Sequence, residues 1–258
     1  MVIVEGPTDV RVLSRAFHDQ DIAYFPASTR SLALEAAKQL AGWNQKSLAC
    51  VVDRDFDYNV EEAERDVPSI HPYENADMEA MLSVSQAGVD LLLELGSTEK
   101  IEKLGGVKVI VRRLLEMLEP ITRLRRANAE NGWGLAFDQV DLGSKIDKKS
   151  MSLKLRPYCV ALVEKSDSSP NASVLVEYAS GIRQLSSEPK CPRGSKPYFR
   201  GRDFLTILGV ALCGFCGSKR SQSVLLDNLE GALRLAGAYE IRVSRWGKEL
   251  LELLDVAS

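Results

Sequence analysis

The stretch Val2-Ile3-Val4-Glu5-Gly6-Pro7-Thr8-Asp9 decides the fold. A β-branched run stops at Glu-Gly-Pro, and Thr8 can cap a helix whose apolar positions Val10, Leu13, Ala16 and Phe17 follow helical spacing. Strand, tight turn and helix follow in order. Working outward, the pattern predicts a short strand over residues 22–25 and an amphipathic helix over 31–41. The buried-type run Leu48-Ala49-Cys50-Val51-Val52 then ends in Asp53. Strands alternating with short helices indicate βαβ units and an α/β fold with a mainly parallel sheet flanked by helices. A fourth short strand is expected at 69–71, and a helix is expected to begin within 76–82.

Beyond residue 83 the strand signal fades and helical patterns take over at 86–95, 98–128, 174–185, 203–216 and 221–235. Gly105-Gly106 and Pro120 are expected to break the second of these. Residues 132–158 alternate in places, as at Leu135-Ala136-Phe137, and are read as a hairpin candidate. Residues 186–202 read as a loop rich in Ser, Pro, Gly and basic side chains. The organisation expected is an α/β domain over 1–85 and a largely helical region over 86–258 with basic clusters that contact nucleic acid or a partner.

With 258 residues, 45% hydrophobic and 27% charged, the chain has enough apolar content for a packed core, which excludes a disordered tail. Its net charge of −3 excludes a uniformly basic nucleic-acid coat. The halves differ, however: residues 1–100 carry 8 basic and 18 acidic side chains, and residues 101–258 carry 25 and 18. No apolar run is long enough for a membrane span, and Glu5 and Asp9 interrupt any signal-like start, so a soluble cytoplasmic protein is expected. Five scattered cysteines suit a reducing compartment. Cys213 and Cys216 form a CxxC at the end of an apolar run. They read as helix rather than a zinc site, because no second ligand pair has suitable spacing.

The acids fall where a parallel sheet forms its ligand sites, at the carboxyl ends of strands. Glu5 follows the first strand; Asp53, Asp55 and Asp57 follow the third; Asp77 and Glu79 follow the fourth. Asp53 and Asp55, two apart in a strand exit, are expected to project from one side about 7 Å apart along the chain. Glu5 and Asp9 can face one crevice across the first turn. Taken singly, each has a bland reading: a solvated turn at 53–57, and ordinary first-turn acids at Asp9, Asp77 and Glu79. Taken together they repel, and a divalent cation relieves that repulsion. Oxygen-only ligands suit Mg²⁺ or Mn²⁺, as one or two ions able to activate water against a phosphoryl group.

These residues, Val2-Ile3-Val4-Glu5-Gly6 with Asp9 and then Asp53-x-Asp55-x-Asp57, resemble a Toprim domain, the metal-binding fold of topoisomerases, primases and OLD nucleases. Asp77-Met78-Glu79 and Arg200-Gly201-Arg202-Asp203-Phe204-Leu205 extend the likeness to the stand-alone Toprim-like nuclease effectors of anti-phage systems of the PARIS type, which work with an ABC-type ATPase. Where relatives commonly carry Gly-His-Asp, this chain reads Gly201-Arg202-Asp203. The resemblance implies that Glu5 is a metal ligand or general acid/base and that Asp53 and Asp55 act catalytically and hold the metal. It further implies that Asp9, Asp57, Asp77 and Glu79 complete the site. An ABC-type ATPase sensor is the implied protein partner, and homo-oligomerisation on activation is left open.

A phosphodiester substrate calls for cationic surface, and the second half supplies Lys190, Arg193, Lys196, Arg200 and Arg202, with Tyr198 and Phe199 between them as base-stacking candidates. The alternative use of this cluster is protein docking. Arg112, Arg113, Arg123, Arg125 and Arg126 form a second cluster that reads as a solvated helix face, since Glu116 and Glu119 are interleaved. Tyr58 and Tyr73 read as packing, so no covalent nucleophile is assigned and a topoisomerase is disfavoured. The reading that follows is a metal-dependent nuclease of RNA, such as tRNA, or of DNA, acting as a toxic defence effector. The alternative is a silent Toprim-like module that binds a partner ATPase or nucleic acid. An α/β phosphatase is disfavoured because its nucleophilic Asp would follow the first strand. A Rossmann dehydrogenase is excluded by the missing Gly-x-Gly-x-x-Gly.

Overall fold

Three short parallel strands in the order β2-β1-β3 hold the acidic site in place: β1 (Val2–Val4), β2 (Tyr24–Pro26) and β3 (Ala49–Val51). The computed structural model describes residues 1–194 and 196–255. Ser195, inside the loop expected over 186–202, and residues 256–258, at the end of the expected helical region, lie outside the described residues. Every side chain of β1 and β3 is buried, as expected of strands covered on both faces. The expected fourth strand is only a single parallel bridge between Cys50 and Ile70.

In chain order β1 leads to α1 (Pro7–Ala16), β2 to α2 (Arg30–Gly42), and β3 to α3 (Asn59–Asp66) and α4 (Met78–Ser83). Helix α1 is capped by Gly6, not by the expected Thr8, because Pro7 supplies a preset first-turn φ and needs no backbone donor. The Asp9 carboxylate accepts from the Gly6 N–H at 3.0 Å, one half of a capping box. Thr29 caps α2 through the Leu32 N–H, and Ala33 and Ala37 of α2 pack on Ile3, Cys50 and Val52 in one apolar cluster.

Next come α5 (Gln86–Leu95), α6 (Thr98–Lys103), α7 (Val107–Asn131), a two-residue hairpin of β4 (Ile146–Asp147) and β5 (Ser152–Leu153), α8 (Leu155–Lys165), α9 (Ala172–Ala179), α10 (Gly201–Gly214), α11 (Leu226–Val243) and α12 (Arg245–Leu253). Gly105-Gly106 does separate α6 from α7, both glycines having positive φ. Pro120 does not end α7. It removes one backbone donor, and burial of Met117, Leu118, Ile121 and Leu124 around it offsets the loss. Leu135-Ala136-Phe137 forms no strand; Phe137 opens a 3-10 turn, and the small hairpin lies further on. Helices α3, α8 and α12 have no counterpart in the sequence reading.

The chain divides into two compact units, Met1–Gly88 with the stretch from Leu233 onward, and Val89–Ala232. The C-terminal helix therefore belongs with the sheet. Trp246 of α12 stacks on His71 and Tyr73, with ring centroids 4.8 and 5.2 Å away, and its Nε1–H donates to the Pro72 carbonyl at 2.9 Å. Within the same unit Gly237 of α11 lies so close to Leu82 that an added Cβ would stand 2.5 Å from it. In the other unit α10 buries Phe204, Leu205, Ile207, Leu208, Ala211 and Leu212. No helix among the described residues is long and apolar enough to cross a membrane.

Candidate functional site

Glu5 leaves the carboxyl end of β1, and Asp53 lies two residues past the neighbouring parallel strand β3. The fold thus brings together two acids 48 residues apart: the Asp53 backbone N–H donates to Glu5 Oε1 at 2.8 Å. Asp9, in the first turn of α1, also accepts from the Tyr73 hydroxyl at 2.8 Å. Asp77 caps α4, accepting from the Ala80 N–H at 2.7 Å. Asp55 arrives by a route the strand pattern does not predict. Its φ of 52° is left-handed, a conformation that aspartate tolerates better than most residues. Its N–H donates to the Ala76 carbonyl at 2.9 Å. A tight loop, not pleat alternation, therefore sets Asp55.

Electrostatics tie these acids into one group. Glu5 is pushed up to about 7, first by burial and then by Asp55 and Asp9, against the opposing Asp53 N–H bond. Asp53 is raised well above the usual carboxylate range, first by burial and then by Asp77, Glu5, Asp55 and Asp9. Asp9 is raised by burial, with Glu79 adding to the effect and the Tyr73 and Gly6 donors opposing it. Some of Asp53's surface reaches solvent, yet protein crowds it closely enough for desolvation to dominate. Among the described residues no donor or cation contacts its carboxylate.

Two arginines neutralise the edge of the group. Arg30, at the start of α2, pairs with Asp57 and, at 2.9 Å, with Asp55. Arg234 of α11 donates through Nε to Glu79 at 2.5 Å. Arg54, between the two loop aspartates, instead points to α3: it forms a two-pronged pair with Glu64 and donates to the Tyr73 carbonyl at 2.8 Å. Sequence reasoning missed Arg30, Arg234 and the role of Tyr73, which is no mere packing group. These contacts span from 25 to 155 residues of chain, and no local pattern signals them.

The donor chemistry suits a hard divalent ion: the central side chains offer only carboxylate oxygens, and Asp53 lacks a compensating charge. The coordination geometry is not assembled. Among the described residues no three His, Cys, Asp or Glu side chains stand together so as to hold an ion. Pairs with Arg30 and Arg234 and the cap at Asp77 engage the outer acids. At the CxxC, Cys216 is buried and burial pushes its thiol up to about 11, the opposite of a thiolate ligand.

The basic clusters lie in the other unit. Lys190, Arg193 and Lys196 are exposed; Arg200 pairs with Asp138 at 2.6 Å, and Arg202 stands 3.7 Å from Glu230. Phe199 is only 1% exposed and stacks on Phe204, which rules out base stacking there. Tyr198 is half-buried. The second cluster is not a solvated face as expected. Arg123 and Arg126 are buried, Arg123 paired with Glu188 and Arg126 with Glu130 at 3.3 Å. Arg125 grips Asp203 through two bonds of 2.6 and 2.8 Å while lying 4.2 Å over the Phe137 ring. Only Arg112 and Arg113 remain outside the interior. The Arg202-Asp203 pair of the late motif therefore splits, with Asp203 inside as the partner of Arg125 and Arg202 at the surface. Compared with known proteins, the chain matches no family model, no curated protein and no solved structure.

Proposed function

We propose that the protein is a Toprim-like, Mg²⁺- or Mn²⁺-dependent nuclease of RNA or DNA, acting as a toxic anti-phage effector with an ABC-type ATPase as sensor. One observation carries this reading. Two neighbouring parallel strands deliver Glu5 and Asp53 to one spot, where Asp53 lies among four repelling acids without a compensating cation. A fold selected only for stability gains nothing from that arrangement, whereas a phosphoryl-transfer site uses it.

In this reading Asp53 and Asp55 would hold the ion, with Asp9, Asp57, Asp77 and Glu79 around them, and Glu5 would serve as a further ligand or as general acid/base. A bound ion supplies a water of lowered pKa and neutralises charge on the phosphate. The chain's own residues do the rest. As general acid/base, Glu5, which burial first and then Asp55 and Asp9 raise to about 7 in the ion-free chain, would take a proton from water and return it to a leaving oxygen. The hydroxyl of Tyr73 and the Gly6 N–H fix the two oxygens of Asp9, which keeps that carboxylate oriented. Asp55 would ligate only in place of its pair with Arg30, whose guanidinium also holds Asp57.

The ion pairs at Asp55, Asp57 and Glu79 are equally what a silent binding module would retain, and this is the second reading. Incubation of the full chain, alone and with its ATPase partner, with labelled tRNA and DNA in Mn²⁺ separates the two. Cleavage that disappears in Glu5→Ala and Asp53→Ala supports the nuclease. Cleavage surviving both substitutions, or none by the activated complex, overturns it.

A further inference from the structure

Helices α1 and α11 carry a second feature of the first unit that the acids do not account for. Residues 9–19 and 234–242 run the same way. At one end Arg234 holds Glu79, which in turn disfavours ionisation of Asp9. At the other end Arg242 holds Asp19 at 2.5 Å. Between these points lies an open groove of about 420 Å³, lined by Arg15, His18, Leu235, Tyr239 and Arg242 among others.

Leu235 and Tyr239, one turn apart on the same helix face, are 63% and 68% exposed. Large apolar groups left in water at a groove mark a contact surface. The rim decides the occupant. Arg15 has no ion-pair partner among the described residues, His18 is exposed, and Asp19 already belongs to Arg242. A second copy of the chain would bring these same cations face to face, so an anionic occupant with flat apolar groups is favoured. An unpaired nucleic-acid strand has both, phosphates for Arg15 and bases for the tyrosine ring. Six helical residues separate Asp9 from Arg15, about 9 Å. At about 3.4 Å per stacked nucleotide, this places the groove two to three nucleotides from the acids.

We propose that the groove between α1 and α11 seats an unpaired nucleic-acid strand, with Tyr239 stacking on a base and Arg15 facing a phosphate. This deepens the nuclease reading and rests on it for what lies at the strand's other end. The test is fluorescence anisotropy of 5′-fluorescein 20-mers of oligo(dT) and oligo(U) with the full chain in EDTA, where nothing is cut. Wild type should bind. Tyr239→Ala should weaken binding about 5- to 100-fold. Arg15→Gln should weaken it and lower the salt slope by about 0.7. Both side chains are exposed, and unchanged melting curves will show that the variants fold.

A parallel Mn²⁺ cleavage assay of wild type and Asp53→Asn reads the nuclease proposal separately. If wild type cuts while Tyr239→Ala and Arg15→Gln bind and cut as it does, the groove proposal fails and the nuclease stands. Weakened binding in both variants without any cleavage sustains the groove and removes the nuclease. Failure of wild type to bind either 20-mer overturns the groove proposal. So does a dimer that Tyr239→Ala splits without any effect on oligonucleotide binding, since the face is then a contact between copies.

Discussion

Replacing Glu5 by Gln should stabilise the protein at pH 8 and do little at pH 4.5. Glu5 has an ordinary value of 4.5 and is pushed up to about 7 in the folded chain, with burial the largest cause. Its favourable share of folding is therefore complete below pH 4.5, where both states hold the proton. As pH rises from 4.5 to about 7 the folded chain keeps a proton that the unfolded chain has shed, and stability falls. Above about 7 the whole cost stands. At about 1.4 kcal/mol per pH unit that interval sets an upper limit of about 3.5 kcal/mol. Part of Glu5 remains in water, and screening lowers the expected cost to about 1–2 kcal/mol.

Glutamine keeps a side-chain oxygen able to accept from the Asp53 N–H and removes the charge, which also relieves one cause of the raised Asp53 value. Urea unfolding of wild type and Glu5→Gln at pH 4.5, 6 and 8 in EDTA measures the difference. The variant should gain about 1–2 kcal/mol at pH 8, or about 2–6 °C in melting temperature, with the gain shrinking steadily towards pH 4.5. On the proposed reading, added Mn²⁺ should narrow the gap at pH 8 by stabilising wild type more than the variant. A Glu5→Gln protein less stable than wild type at pH 8, or equally displaced at every pH, would refute the account of a carboxylate held against its own charge.

Three further outcomes test the scaffold. Trp246→Ala removes the ring stacked on His71 and Tyr73 and should cost about 3–5 kcal/mol in equilibrium unfolding. Arg125→Ala leaves Asp203 buried without its partner and should cost a similar amount, about 3–5 kcal/mol, while the joint Arg125→Met, Asp203→Leu replacement should cost clearly less. Gly237→Ala places a methyl 2.5 Å from Leu82 and should lower stability by about 1–3 kcal/mol, visible as an earlier melting transition.

What the sequence reveals and what it hides divide by distance along the chain. Val2-Ile3-Val4 and Leu48 to Val52 announce buried strands through their own composition, and strand-end placement is enough to gather Glu5, Asp9, Asp53, Asp55, Asp77 and Glu79 as a candidate set. How Asp55 arrives there is hidden, because two residues past the strand its backbone turns left-handed and pleat counting no longer applies. Arg123, Arg125 and Arg126 read as solvated because Glu116 and Glu119 lie beside them. Their true partners include Glu188 and Asp203, 65 and 78 residues downstream. Trp246 closes over Tyr73 from the far end of the chain, so the domain boundary near residue 85 captures the start of the sheet unit and not its last helix.

The distribution of counter-charges is itself an argument about purpose. Arg30 and Arg234 neutralise Asp55, Asp57 and Glu79, the acids at the edge of the group. Asp9 and Asp53 receive only hydrogen-bond donors or nothing, and Glu5 feels Arg30 only as the smallest of its influences, although desolvation raises all three. On the proposed reading, the carboxylates left uncompensated at the centre are the ones that a divalent ion from outside the chain would neutralise.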